Sequence, residues 1–336
     1  MKKKLSVFIC SAILAATLCS CGVSPAETFD NEAVDNAYSN YMAGGKLVFK
    51  DKNLYLVNTF FEGTEAGVIK INADGAENIY KLDRFTDEEF PELFTLYDLN
   101  GKFYTNCLYD DSIYTFDESG SGLAPTEYTE LPMLESDNYY IDEDYAVLPL
   151  GYTMEGIVLS VVRDGETKKI DFSFQNFFVD DGKLYGSGVD EKLHCYDIAS
   201  GKFEDVPDIH IDSNTLKFFV ADGYCYSTDD SGKDGEGLYR YNIKDGTPTF
   251  VTEKKVKSIN SYDSKVFFAA DDGVYSFDGT TSAKIANLAA NELYILDNEW
   301  VYALNTENGD LHRISMDSGK TEVVNYTVSS SADQAK

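Results

Sequence analysis

Hydrophobic and polar positions alternate in short runs along most of the chain, and each run stops at a turn rich in Gly, Asp or Asn. Leu54-Tyr55, Phe103-Tyr104, Leu184-Tyr185, Cys225-Tyr226, Val266-Phe267 and Val301-Tyr302 are six such runs, with Tyr145-Ala146-Val147 as a seventh. Taking Tyr55, Tyr104, Ala146, Tyr185, Tyr226, Phe267 and Tyr302 as the register, the spacings are 49, 42, 39, 41, 41 and 35 residues. A second apolar run follows each one and ends at a further glycine, as in Val68–Ile71 before Gly75 and Leu238–Tyr241 before Gly246. Side chains on a strand point alternately to opposite faces, so Leu238 and Arg240 share one side while Tyr239 and Tyr241 share the other. Asp-Gly pairs supply the positive φ angles of tight hairpins.

Further runs such as Phe177-Phe178-Val179 precede the first turn, and short ones such as Phe250-Val251 follow the last. Four strands in about 41 residues is the size of one propeller blade. Such a blade is apolar on both faces and needs neighbours on both sides. The pattern therefore predicts an all-β fold, a seven-bladed β-propeller of four-stranded antiparallel blades, over residues 45–328. Leu47-Val48-Phe49 opens the first blade and Glu322-Val323-Val324 ends the last, so closure by face packing, without a shared strand, is expected. The long first spacing holds Phe85–Pro91, where Thr86 and Glu89 have capping-box spacing and Pro91 stops a helix within a turn. This region, 83–94, reads as an insertion loop.

The ends of the chain read differently. Lys2-Lys3-Lys4 precedes an apolar core from Leu5 to Leu18, the layout of a secretion signal and too short to span a bilayer. The sequence Leu18-Cys19-Ser20-Cys21 resembles the lipobox of bacterial lipoproteins. The resemblance implies cleavage after Ser20, lipidation of Cys21 and a chain held at the bacterial cell membrane on its extracytoplasmic side. Residues 1–21 are thus expected as signal peptide and lipobox, 22–44 as a polar tether with a short helix placing Ala33, Ala37 and Tyr41 on one face, and 329–336 as a disordered tail.

Composition reinforces the strands: 24 Tyr and 21 Phe stand against a single Trp. The full chain carries a net charge of −30. Removing Lys2–Lys4 with the signal leaves 25 basic residues (28 − 3) against 58 acidic ones, a net −33. Such a chain repels phosphate backbones, which excludes nucleic acid as a partner. Much of the acidity belongs to turns; its functional meaning would be attraction of cations or basic partners.

The repeats, of the form Asp-Gly-x-Leu-Tyr followed by Leu-Tyr-Arg-Tyr and a further Asp-Gly, resemble those of the bacterial surface-lipoprotein propellers of the DUF5050 family. They are also similar to YWTD-type and quinoprotein-like repeats. The resemblance spans nearly all of 45–328, and its motifs are turn and core residues; it implies a propeller on a bacterial envelope and brings no reaction. Asp197–Lys202 resembles the turn of quinone-dependent propeller enzymes, but Phe203 stands near the place where those enzymes repeat a Trp, and Trp300 is the chain's one Trp.

Candidate chemistry is sparse. His194 and His312 occupy equivalent places in two repeats three blades apart, and His210 lies on a separate apolar run. Cys195 and Cys225 fall in neighbouring blades; a disulfide between them is geometrically open, and buried free thiols are the favoured reading. The loop Asp229–Glu236 offers Asp229, Asp230, Asp234 and Glu236 as candidate oxygen ligands for Ca²⁺, with Lys233 among them and without an EF-hand ladder. No Gly-x-Ser-x-Gly, His-Glu-x-x-His or phosphate-cradling glycine loop occurs. The sequence therefore favours a lipid-anchored binding or interaction module taking an envelope protein or polysaccharide. The alternative is a lactonase- or hydrolase-type propeller enzyme with carboxylates at its central opening.

Overall fold

The computed structural model describes residues 31–58, 67–72, 74–81, 95–99, 101–107, 110–129, 131, 139–212, 218–229 and 237–326. It forms a seven-bladed β-propeller, each blade a four-stranded antiparallel sheet, here lettered a to d outward from the axis. Blade 1 contains β1 (Leu47–Lys50), β2 (Asn53–Asn58), β3 (Gly67–Asn72) and β4 (Gly75–Lys81). Blade 2 contains β5 (Tyr97–Leu99), β6 (Lys102–Cys107), β7 (Asp110–Phe116) and β8 (Ala124–Pro125). Blade 3 contains β9 (Tyr140–Ile141), β10 (Ala146–Thr153), β11 (Gly156–Arg163) and β12 (Glu166–Phe174). Blade 4 contains β13 (Asn176–Asp180), β14 (Lys183–Ser187), β15 (Leu193–Asp197) and β16 (Lys202–Glu204). Blade 5 contains β17 (Phe218–Ala221), β18 (Tyr224–Asp229), β19 (Gly237–Asn242) and β20 (Pro248–Thr252). Blade 6 contains β21 (Val256–Tyr262), β22 (Lys265–Ala270), β23 (Gly273–Phe277) and β24 (Ser282–Ala286). Blade 7 contains β25 (Glu292–Ile295), β26 (Trp300–Asn305), β27 (Asp310–Ser315) and β28 (Thr321–Val323).

Alternation on blade 1 shows why the ring forms. Leu47, Phe49, Leu54 and Leu56 pack towards blade 7 against Tyr294, Tyr302, Leu304 and Leu311. The intervening Val48, Tyr55 and Val57 pack the other way, against Phe103 and Phe116 of blade 2. Both faces are apolar, so neither can be left to water. Every blade is built from one continuous stretch, and the first and last meet face to face with no exchanged strand. At the rim of this seam Lys46 Nζ lies 2.8 Å from Glu292 Oε1, and the Lys46 amide donates to the Tyr294 hydroxyl at 3.2 Å.

The turns use the chemistry that the sequence announces. Asp181-Gly182 and Asp222-Gly223 join strands a and b with φ of 46° and 70°, and 52° and 75°. Both central residues thus lie in the left-handed region that a two-residue hairpin of this twist requires. Turn carbonyls also bind cations from the neighbouring blade. Lys50 Nζ donates to Gly101 O at 2.7 Å, Lys168 Nζ to Gly201 O at 2.9 Å and Arg240 Nη2 to Gly279 O at 2.6 Å. Arg240 also stacks on Tyr224 of its own blade and Phe277 of the next, 4.3 and 5.0 Å from the ring centres. Cys195 and Cys225 are separate, buried free thiols.

Because the seam between blades 7 and 1 is held by side-chain packing, Leu304→Ala is expected to cost about 2–5 kcal/mol. Urea unfolding checks this. A loss below about 1 kcal/mol would show that closure does not depend on that packing.

Candidate functional site

The site that the fold builds lies on the axis. Of the 22–44 stretch expected as a tether, the described part belongs to the ring. Ala33 forms a β-bridge with Asp297, in the a–b turn of blade 7. The Val34 amide donates to Leu296 O, and the Asn298 amide donates to Glu32 O. The chain then turns into α1 (Ala37–Met42), which touches the innermost strands β1, β5, β21 and β25. It leaves at the opposite end, where the Leu96 amide donates to Gly45 O ahead of β5. The expected short helix is therefore present, but it begins at Ala37, and Ala33 is extended instead of sharing its face.

Two kinds of side chain seat this helix. Tyr38 and Tyr41, three residues apart and so on one side, meet inner-strand aromatics. Tyr38 lies 4.6 Å from Tyr140 and 5.0 Å from Phe178, between ring centres; Tyr41 lies 4.8 Å from Tyr139 and 5.6 Å from Tyr97. Asn40, buried, stands in for a strand. Its Nδ2 donates to Ile295 O at 2.7 Å, and its Oδ1 accepts from the Ile295 amide at 2.7 Å. Asn260, fully buried on β21, donates through Nδ2 to Asn40 Oδ1 and accepts at Oδ1 from Asn36 Nδ2 at 3.0 Å. One side-chain amide thus satisfies both backbone groups of an inner-strand residue, which would otherwise face the channel unpaired.

Beside the helix, on the face carrying the a–b turns, a cavity of about 760 Å³ opens along the axis. Asp35, Asp98, Asp142, Glu143, Asp180 and Asp181 line it together with aromatic groups, and among the described residues no Lys or Arg lines it. Burial raises the pKa of the half-buried Asp98, with Lys50 opposing the shift. Burial also raises that of Asp180, and the nearby Asp181 and Asp222 add to the effect. The Tyr140 hydroxyl donates to Asp142 Oδ2 at 2.6 Å. Tyr97, Tyr140 and Phe178 add apolar walls. The mouth is therefore acidic with aromatic walls.

The residues singled out from sequence lie elsewhere. Asp229 ends β18, paired with Gly237, while Asp230, Asp234 and Glu236 lie outside the described residues. Cys21, the 83–94 insertion and the 329–336 tail also lie outside them. His194 Nε2 sits 2.9 Å from Asp190 Oδ2, its ring 4.3 Å from Phe172. His210 is 4.0 Å from Glu191, and the buried Nδ1 of His312 has no hydrogen-bond partner. Among the described residues no three His, Cys, Asp or Glu side chains are grouped to hold a metal ion. Sequence reasoning missed the acidic mouth and the Asn36–Asn260–Asn40 relay. A signal for the mouth was present: Asp98, Asp142 and Asp180 each lie at or next to the end of the first strand of a repeat, a place that a ring brings to one opening.

Replacing Asn40 by Ala would strand the Ile295 N–H and C=O and one Asn260 donor. At about 1–3 kcal/mol for a buried unpaired group, a total near 3 kcal/mol is expected in thermal unfolding. Asp180→Asn should act the other way. A carboxyl whose folded pKa is raised destabilises the fold once pH exceeds its ordinary range, and ceases to do so when protonated. The variant should therefore melt higher than wild type at neutral pH and no higher near pH 3. Equal melting temperatures at both would refute the assignment.

No protein-family model matches the chain, and no curated relative was found. Among solved structures, the computationally designed Ika8 protein is similar at 11% identity, with 86% of this chain and 87% of that chain covered and a TM-score of 0.52. BamB from Moraxella catarrhalis is similar at 11% identity, with 80% and 84% covered and a TM-score of 0.47. The first likeness supports the propeller fold alone, and no argument rests on the second.

Proposed function

We propose that this chain is a lipid-anchored propeller on the extracytoplasmic side of a bacterial membrane, serving as a binding module for an envelope protein or polysaccharide. The observation that carries the reading is the occupied axis. Tyr38, Asn40 and Tyr41 fill the channel from within the chain, leaving the two rims and the acidic mouth as surfaces for recognition. A closed ring of packed blades holds those surfaces rigid, so a partner meets a pre-formed face and little ordering cost falls on this side. The acidic lining selects a partner carrying Lys, Arg or amine groups at the contact. Lipidation at Cys21 supplies the anchor, because acyl chains contribute about 0.8 kcal/mol for each buried methylene.

A second reading, a hydrolase with carboxylates at the central opening, is favoured by the meeting of Asp98, Asp142 and Asp180 at one mouth. Divalent cation titration separates the two. A rise in melting temperature that Asp142→Asn and Asp180→Asn abolish would support the enzyme.

Crosslinking on intact cells, with the captured species identified by mass, tests the binding reading. Capture of one envelope component by wild type, and its loss in the Asp98→Asn/Asp180→Asn double variant, is expected. Recovery of nothing beyond a control carrying a non-lipidated signal would refute it.

A further inference from the structure

The point at which the chain leaves the ring fixes which face meets the membrane. We propose that the anchored propeller is held with its a–b-turn face towards the lipid surface and its b–c hairpins pointing away; this rests on the Cys21 anchor proposed above. Glu32, Ala33 and Val34 are pinned to the a–b turn of blade 7 by the Asn298 amide, the Asp297 bridge and Leu296 O. Beyond them the chain enters the channel and is fastened through Asn36 and Asn40. Slack can be drawn from that side only by breaking these hydrogen bonds in turn, the last of them the buried pair at Asn40.

Ten residues, 22–31, separate Cys21 from Glu32. Eleven steps of chain reach at most about 36–40 Å fully extended. The route from the axis to the opposite face is longer. Three strand spacings near 4.8 Å, with the inner-strand offset and outer side chains, give a radius of roughly 20 Å. Strands of about six residues add roughly 20 Å of height before turns are counted. A leash rising beside the axis thus exhausts its full extension before the far face could rest on lipid.

The arrangement is not the one that surface hydrophobicity would choose. β10 and β11 run past the rim of blade 3 as a hairpin on the b–c face, where Met154 is fully exposed and Leu150 and Tyr152 are 43% and 39% exposed. An apolar tip of this kind would otherwise be expected to enter the interface. The acidic mouth lies on the opposite, a–b face, where anionic headgroups repel it. Surface chemistry thus favours one orientation and tether length the other, and they are distinguishable.

Asp144 and Met154 flank β10, at opposite ends of one strand and so at similar radius, about 33 Å apart along it. Full-length lipidated protein, as Asp144→Cys or Met154→Cys labelled with a donor dye, would be placed in phosphatidylcholine–phosphatidylglycerol vesicles bearing a headgroup acceptor. Background labelling of the native thiols is read from the unsubstituted chain. Energy transfer should be at least roughly twofold higher from position 144, given that separation. Inserting a flexible Gly-Ser segment of about 20 residues after Val23 should erase the difference, since the fully extended reach of about 100–110 Å then exceeds the far-face route. Equal transfer, stronger transfer from position 154, or a difference that survives the insertion would overturn the orientation. Vesicle flotation of the Cys21→Ala chain reads the anchor separately. If it floats as well as the unsubstituted chain, the anchor fails and the orientation with it; if only the lipidated chain floats, a reversed gradient overturns the orientation alone.

Discussion

Seven inner strands facing one axis create the constraint on which the rest of this structure depends. Each inner strand has a neighbour on its outer side only, so its inward backbone groups require partners from whatever occupies the channel. Here the occupant is the chain's own N-terminal segment. Asn40 reaches Ile295 across 255 residues of sequence, and Asn36 reaches Asn260 across 224. The segment is synthesised first, yet its contacts exist only once blades 2, 3, 4, 6 and 7 are in place. Filling of the axis is therefore a late, long-range event, and it joins the seam between blades 7 and 1 in depending on the finished ring.

Charge is distributed according to the same geometry. The few cations serve in part as struts, with Lys50, Lys168 and Arg240 each binding a glycine carbonyl in the next blade. Arg313 is buried against Trp300 at 4.1 Å and donates through Nε to Glu322 at 2.7 Å, which uses the chain's one Trp inside blade 7. Many carboxylates are left over, and the a–b turns carry several of them to the mouth. Asp98 and Asp180 ionise less readily there than in water, an energetic penalty that turn formation does not require.

Local rules made the blades legible. The period of two in β1 and β2 sends Leu47 and Leu54 one way and Val48 and Tyr55 the other, and Asp-Gly at 181–182 fixes the hairpin; neither needs knowledge of distant residues. The axis was not legible for the opposite reason. Asn40 lies in a short polar helix, and nothing nearby in sequence states that it will pair with Ile295. Asp98, Asp142 and Asp180 read singly as turn-adjacent acids, and become a mouth only when the repeats are bent into a ring. Ala33 was misplaced on a helical face because i, i+4 spacing does not show where a helix starts, and here Ala33 lies in the extended approach to a helix that begins at Ala37.

The segment leading into the channel and the acidic mouth are not independent parts of this molecule. Ala33 through Asn40 line the cavity, so the segment that enters the ring ahead of blade 1 is also one wall of the mouth. Any pull along that segment is met first by the hydrogen bonds at Leu296 and Asn298 and then by the asparagine relay. Those bonds lie nearly in series, and the ring behind them is closed by apolar packing that a lateral load would shear only by moving whole blades. The first element to yield to such a pull is thus the wall carrying Asp35, while the wall carrying Asp98 and Asp180 stays fixed on β5 and β13.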